Sequence, residues 1–185
     1  MTHMQRTRIK ICGITRAEDA RAAASAGADA IGMVFYARAG RNISIDRARE
    51  IIAVLPPFVT PVGLFVDAEP DEILDTAMQL GLRTVQLNGS ETPSHVAELE
   101  GLRVLKAVRV NRETFARALQ TWQADRPGNL IGIVLEPDHT PHAGGSGVAN
   151  DWTTIRDALR ASAPTIPIIA AGGLTPQSRS EERRA

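Results

Sequence analysis

Cysteine is nearly absent from this sequence, with Cys12 the single example. No intrachain disulfide can form, which excludes a secreted, disulfide-stapled design and makes a reducing cytoplasm the simplest setting. Net charge is missing as well, because 21 Lys and Arg balance 21 Asp and Glu, so no overall positive field draws the chain to nucleic acid. Aromatic residues make up only 4%, and they do not interleave with basic residues as on a surface that stacks bases. No run approaches the roughly 20 continuous apolar residues of a membrane helix. Met1–Arg8 lacks the apolar stretch of a signal peptide. The expectation is a soluble, cytoplasmic protein with neither nucleic acid nor membrane as a partner.

What is present is an ordinary globular balance, 43% apolar and 23% charged over 185 residues, enough for one core and a single domain over 1–185. Short β-branched runs alternate with Ala-, Glu- and Arg-rich segments of helical spacing. Strands are predicted over Arg8–Cys12, Asp29–Tyr36, Val59–Val66, Arg83–Leu87, Val104–Val108, Leu130–Leu135 and Ile166–Ala170. Helices are predicted over Arg16–Ala26, from an N-cap at Ser44 through Leu55, and over Asp71–Leu80, Pro93–Glu100, Arg112–Gln123 and Asp151–Ala161. The strands read as near-continuous apolar runs, the mark of parallel strands covered by helices. Repeated β-then-α units give an α/β fold with right-handed crossovers. The absence of GxGxxG after the first strand disfavours a dinucleotide-binding open sheet. Periodicity alone leaves a (β/α)8 barrel and a doubly wound sheet both open.

In either architecture the working groups lie where strands end. Those ends carry Cys12-Gly13, Tyr36 to Arg41, Asp67, Gln86-Leu87-Asn88-Gly89, Lys106, Glu136 to Gly147, and Gly172-Gly173. A thiol beside a positive field supplies thiolate, which can remove a proton or attack an electrophile; a lone cysteine is otherwise a small buried hydrophobe. Gly144-Gly145-Ser146-Gly147 and Gly172-Gly173 have the form of phosphate cradles, since glycine lets backbone N–H groups approach an anion; ordinary tight turns are the plainer reading. The Arg41 fork suits a carboxylate or a phosphate, whereas Arg38 reads as solvated. Glu136 and Asp138 are candidate general acids. His139 and His142 form H-x-x-H without further ligands, so no metal site is assigned. Trp122 and Trp152 read as packing residues.

These motifs resemble a known family. Lys10-Ile11-Cys12-Gly13-Ile14-Thr15 is similar to the opening signature of the phosphoribosylanthranilate isomerases of tryptophan biosynthesis. The likeness continues through Gly32-Met33-Val34-Phe35-Tyr36, Arg41-Asn42-Ile43-Ser44, Val62-Gly63-Leu64-Phe65-Val66 and Val85-Gln86-Leu87. It is met again at Gly144-Gly145-Ser146-Gly147 with Asp151-Trp152, and at Ala171-Gly172-Gly173-Leu174. The resemblance implies a (β/α)8 TIM barrel and an Amadori rearrangement of a small phosphorylated substrate. It implies Cys12 as the base at C2′ and an acid at the end of the sixth strand, here Glu136, protonating the ribose ring oxygen. Arg41 would hold the anthranilate carboxylate. Gln86 and the glycine turns, Gly144 and Gly145 with Gly172 and Gly173, would bind the remainder of the substrate, phosphate included. No cofactor or metal is implied, and the chain would be a monomer or a homodimer.

Three departures from the family pattern stand out. Glu136 replaces the family's aspartate, and Asn88 follows Gln-Leu where histidine is usual. The third lies at the end of the sequence. Gln177–Ala185 has no apolar periodicity, so the expected barrel is truncated after the seventh strand, with 177–185 a disordered or aberrant tail. The alternative function is therefore a catalytically impaired barrel that binds phosphate weakly or needs a partner to complete its fold.

Overall fold

The computed structural model describes residues 6–138 and 150–174. Strand and helix alternate throughout: β1 (Lys10–Cys12), α1 (Ala17–Ser25), β2 (Ala30–Val34), α2 (Ile45–Ile52), β3 (Thr60–Phe65), α3 (Pro70–Leu80), β4 (Thr84–Leu87), α4 (Pro93–Glu98), β5 (Arg103–Val110), α5 (Phe115–Ala124), β6 (Leu130–Pro137), α6 (Trp152–Ser162) and β7 (Ile168–Ala170). The seven strands pair in parallel and in sequence order. That order decides between the two architectures. A doubly wound sheet reverses its strand order so that helices cover both faces. Here the order never reverses, so right-handed crossovers keep the helices on one face, giving seven strands of a (β/α) barrel. Among the described residues β1 and β7 each have one strand neighbour. The expected tail, 177–185, lies outside the described residues, as do Gly144, Gly145, His139 and His142.

Strand parity sorts the side chains. Ile31 and Met33 of β2, Phe65 of β3, Val85 and Leu87 of β4, Val104 and Val108 of β5, and Ile133 and Leu135 of β6 face the helices. They form one core with Ala20, Ile51, Ile73, Val96, Phe115, Leu119 and Ile155. Each large side chain buried there contributes about 1.5–3 kcal/mol. The opposite parity faces the barrel interior, where Leu105, Ala107 and Val134 form a small second cluster against Ile131, Ile169 and Ala171. Both faces of the central strands β2 to β6 are covered, which explains the near-continuous apolar runs in the sequence; Ile11 of β1 stays exposed.

Local chemistry sets the element ends. Ser44 caps α2 as predicted, its Oγ accepting from the Arg47 N–H at 3.2 Å. Asp151 caps α6 by accepting from the Thr153 and Thr154 N–H groups. Helix α5 begins at Phe115 rather than Arg112, because Asn111 Oδ1 accepts from the Glu113 N–H at 2.9 Å and closes a turn first. Strands β5 and β6 both outrun their predicted ends, pairing Arg109 with Glu136 and Val110 with Pro137. No helix among the described residues is long and apolar enough to cross a membrane.

Candidate active site

Cys12 closes β1, half-buried and unbridged. The chain then turns at Gly13, φ 79°, where a side chain would be strained. The N–H groups of Gly13 and Ile14 both donate to the Gly32 carbonyl, at 2.9 and 3.0 Å, which pins the strand end carrying the thiol. Gly32 is the register partner of Cys12. A Cβ at Gly32 would lie 2.6 Å from Cys12 Sγ and 2.9 Å from Lys10 Nζ, so glycine there makes room for both side chains.

Arg41 meets this strand end directly. Its Nη1 donates to the Cys12 carbonyl at 2.8 Å, and its guanidinium lies so close over Gly13 that a Cβ there would sit 2.3 Å from Nη1. The loop bearing Arg41 is held at both sides: Asn42 Oδ1 accepts from the Tyr36 N–H at 2.9 Å, and the Ile43 N–H donates to the Val34 carbonyl at 3.0 Å. The candidate base and the candidate carboxylate holder are therefore neighbours.

Glu136 occupies the interior-facing end of β6, half-buried. Its Oε1 accepts from Asn88 Nδ2 at 2.6 Å, and Asn88 Oδ1 accepts in turn from Gln86 Nε2 at 2.8 Å. Two of the family departures, Asn88 and Glu136, thus touch across 48 positions of sequence. Burial pushes the Glu136 carboxyl above the usual carboxylate range, against the opposing pull of the Asn88 bond and of the Lys106, Arg109 and Lys10 charges. A raised carboxyl suits a proton donor. Asp138, the other candidate acid, is occupied by Asn111, whose Nδ2 donates to it at 2.5 Å.

A cavity of about 610 Å³ opens at this end of the barrel, with Glu136, Asn88 and Ala107 on its wall and Tyr36, Val66, Asp67, Gly89 and Ser90 around it. Arg38 and Arg109 also line it. Arg38 is exposed, as its sequence reading has it, and its place at the rim is additional. Arg109 escaped the sequence reading because the predicted strand stopped at Val108; the interior parity of Leu105 and Ala107 was the signal that could have found it. Gln86 is buried behind Asn88 and is not among the lining residues.

Lys106 stands apart from the site. It lies on the helix-facing side of β5, where Nζ pairs with Glu91 Oε2 at 3.0 Å and donates to the carbonyls of Gly89 and Ala107 at 2.8 and 2.9 Å. Glu91 also accepts from the N–H groups of Asp67 and Gly89. This pair ties the chain leaving β3 and β4 to the middle of β5. It fixes loop geometry, and the Lys106 charge reaches Glu136 from the far side of the strand.

After β7 the chain turns through Gly172 and Gly173 with φ of 85° and 60°. A Cβ at Gly172 would lie 2.4 Å from Pro137 Cδ, so this turn packs against the end of β6. Asn150 Nδ2 donates to the neighbouring Ala171 carbonyl. The other glycine turn, with Gly144 and Gly145, falls outside the described residues.

The model of the family described as N-(5'phosphoribosyl)anthranilate (PRA) isomerase matches residues 9–182. The N-(5'-phosphoribosyl)anthranilate isomerase of Pseudomonas fluorescens (strain SBW25) is 45% identical over 174 residues, which cover 94% of this chain and 78% of the relative. A structure of monomers generated from the dimeric Thermotoga maritima isomerase matches with a TM-score of 0.78 at 35% identity, over 96% of this chain and 82% of that one. A phosphoribosyl anthranilate isomerase solved with reduced 1-(o-carboxyphenylamino)-1-deoxyribulose 5-phosphate matches with a TM-score of 0.63 at 35% identity, over 90% and 88% of the two chains. By sequence, fold and the order of its motifs, the chain belongs to the N-(5'-phosphoribosyl)anthranilate isomerase family.

Proposed function

We propose that this chain catalyses the Amadori rearrangement of N-(5-phosphoribosyl)anthranilate to 1-(2-carboxyphenylamino)-1-deoxy-D-ribulose 5-phosphate, with Glu136 as acid and Cys12 as base. The observation that carries the assignment is Glu136 itself. It is a carboxyl lifted above its usual range by burial, held by Asn88, on the wall of a cavity at the strand ends. Proton donation from Glu136 to the ribose ring oxygen lets the C1′–O bond break as the anilino nitrogen forms C1′=N. The resulting iminium acidifies the C2′ hydrogen, which the Cys12 thiolate removes to leave an enol-enamine. Tautomerisation returns one proton to C1′ and one to the carboxylate, giving the amino-ketose. These are proton transfers only, so the chemistry needs neither a redox cofactor nor a metal.

Arg41 takes the anthranilate carboxylate through its guanidinium, and Gly172 and Gly173, with Gly144 and Gly145, take the phosphate. Gln86 acts at the site from behind Asn88. Loss of substrate fluorescence on mixing purified chain with N-(5-phosphoribosyl)anthranilate tests the activity; a folded chain without turnover at high enzyme concentration refutes it. Arg41→Ala offers a narrower check. It removes the guanidinium beside Cys12, and losing a charged hydrogen bond of about 1.5–3 kcal/mol to the substrate raises KM roughly ten- to hundredfold. A change confined to kcat would remove Arg41 from substrate binding.

The pH dependence has a definite sign. Glu136 must carry its proton to act, so kcat/KM falls as pH rises through its raised value, and that limb lies above the usual carboxylate range. The same shift opposes folding: above the ordinary glutamate value the unfolded chain binds fewer protons than the native one, so this contribution to stability declines as pH rises. A pH–rate series and a pH-dependent unfolding series check the two directions.

The reading extends to a cytoplasmic protein, supported by its single cysteine, and to a monomer or a homodimer. The dimeric Thermotoga maritima relative supports the dimer. Sedimentation of the purified chain separates the two states.

A further inference from the structure

We propose that Asn88 and Gln86 are positioning residues that hold the Glu136 carboxyl in place both before and after it gives up its proton. This deepens the function proposed above and rests on Glu136 being the acid. Gln86 at 3% and Asn88 at 5% exposure are buried side chains, carried by β4 and the residue that follows it. They reach past β5 to the end of β6, through bonds of 2.8 Å and 2.6 Å.

The polarity of these bonds follows from the carboxylate. An ionised carboxylate only accepts. Asn88 must therefore turn its amide nitrogen toward Glu136 and its oxygen toward Gln86, and Gln86 must offer nitrogen in turn. One acceptor is left over: Gln86 Oε1 is buried and has no partner among the described residues. Buried polar atoms are seldom left unpaired in native proteins.

That spare oxygen has a use in the other protonation state. A protonated Glu136 can donate its O–H to Asn88 Oδ1 once the Asn88 amide turns over, which presents Asn88 Nδ2 to Gln86. With the Gln86 amide also turned over, Oε1 becomes the acceptor. Amide oxygen and nitrogen are nearly equal in size, so the carboxyl keeps its position while the bonds reverse. The carboxyl therefore keeps one position in both states, and its O–H leaves Asn88 for the ring oxygen as the amide turns back to offer Nδ2.

The two states are not held equally firmly. The bond to the ionised carboxylate is charge-assisted and stronger, so removing Asn88 raises the carboxyl further. The other charged groups acting on Glu136 are Arg109, its register partner on β5, Lys10 on β1, and Lys106 on the far side of β5; all remain in the variants. Asn88→Leu is expected to lower kcat at least tenfold with KM within about twofold, and to move the falling limb of the pH profile to higher pH. Gln86→Leu does the same to a smaller extent. The double variant is no worse than Asn88→Leu alone, because Gln86 acts through Asn88. An unmoved limb in Asn88→Leu, or additive losses in the double variant, overturns the proposal. Where Asn88→Leu does not fold, Asn88→Ser carries the same comparison. Glu136→Gln separates the two readings: wild-type turnover in that variant overturns the acid itself, whereas lost turnover together with an unmoved limb in the Asn88 variant overturns only the relay.

Discussion

Cys12→Ser is expected to reduce isomerisation by about 10²–10⁴-fold, the usual worth of a positioned proton-transfer group, with little change in stability. The substitution replaces sulfur by a smaller oxygen at a half-buried strand end where Gly32 leaves space beside it. Nothing in the backbone pinning depends on the sulfur, because Gly13 and Ile14 hold the turn through their own N–H groups. What is lost is basicity: a serine hydroxyl stays protonated across the working pH range, whereas a thiol supplies thiolate. Single-turnover rates and thermal melting of the variant beside the wild type provide the measurement. Turnover within tenfold of wild type, with an unchanged melting temperature, would move the base elsewhere, first to Lys10, whose Nζ shares the space beside Gly32.

The second large effect is on stability and lies away from the chemistry. Glu91→Ala removes the only carboxylate in ion-pair contact with Lys106 among the described residues, in a pair whose side chains are 4% and 1% exposed. Breaking one side of a buried pair costs about 3–5 kcal/mol, since the remaining charge is left without compensation. That is a large share of the roughly 5–15 kcal/mol by which a domain is folded. The Asp67 and Gly89 N–H groups lose their acceptor in the same step. Denaturant unfolding should show the midpoint shift. Adding Lys106→Met should recover part of the loss by removing the stranded charge, but not all of it, because the two backbone N–H groups remain unmet. A loss of less than about 1 kcal/mol in the single variant would mean that water or a rearranged loop replaces the carboxylate.

The strands, the helices and most of the strand-end residues were legible in the sequence because each depends on local pattern: apolar runs, Gly81 and Gly27 closing helices, Ser44 beginning one. The choice of barrel over open sheet was legible only through the family resemblance, because it depends on whether strand order reverses, which no local pattern encodes. Lys106 shows the same limit at the scale of one residue. Its place near a strand end is visible in the sequence, and strand parity turns it to the helix side and to Glu91. The partnership itself joins residues from different loops, with nothing in either loop to announce it. The contact between Asn88 and Glu136 is the sharpest case. Each departure from the family pattern was visible separately, one shorter and one longer than the usual residue, and only the fold shows that they meet.

The anchoring of Arg41 has an entropic consequence. A free arginine loses much of its rotamer freedom when it grips a ligand, and that loss weakens binding. Here one of the five guanidinium N–H groups already rests on the Cys12 carbonyl, so the fork is oriented in advance and, in the role proposed for it, keeps donors to spare for a carboxylate. A lysine at position 41 would have a single ammonium to divide between the Cys12 carbonyl and the incoming carboxylate, without a rigid plane to serve both. The loop after β2 therefore supplies more than a positive charge: it supplies a charge whose freedom was surrendered during folding.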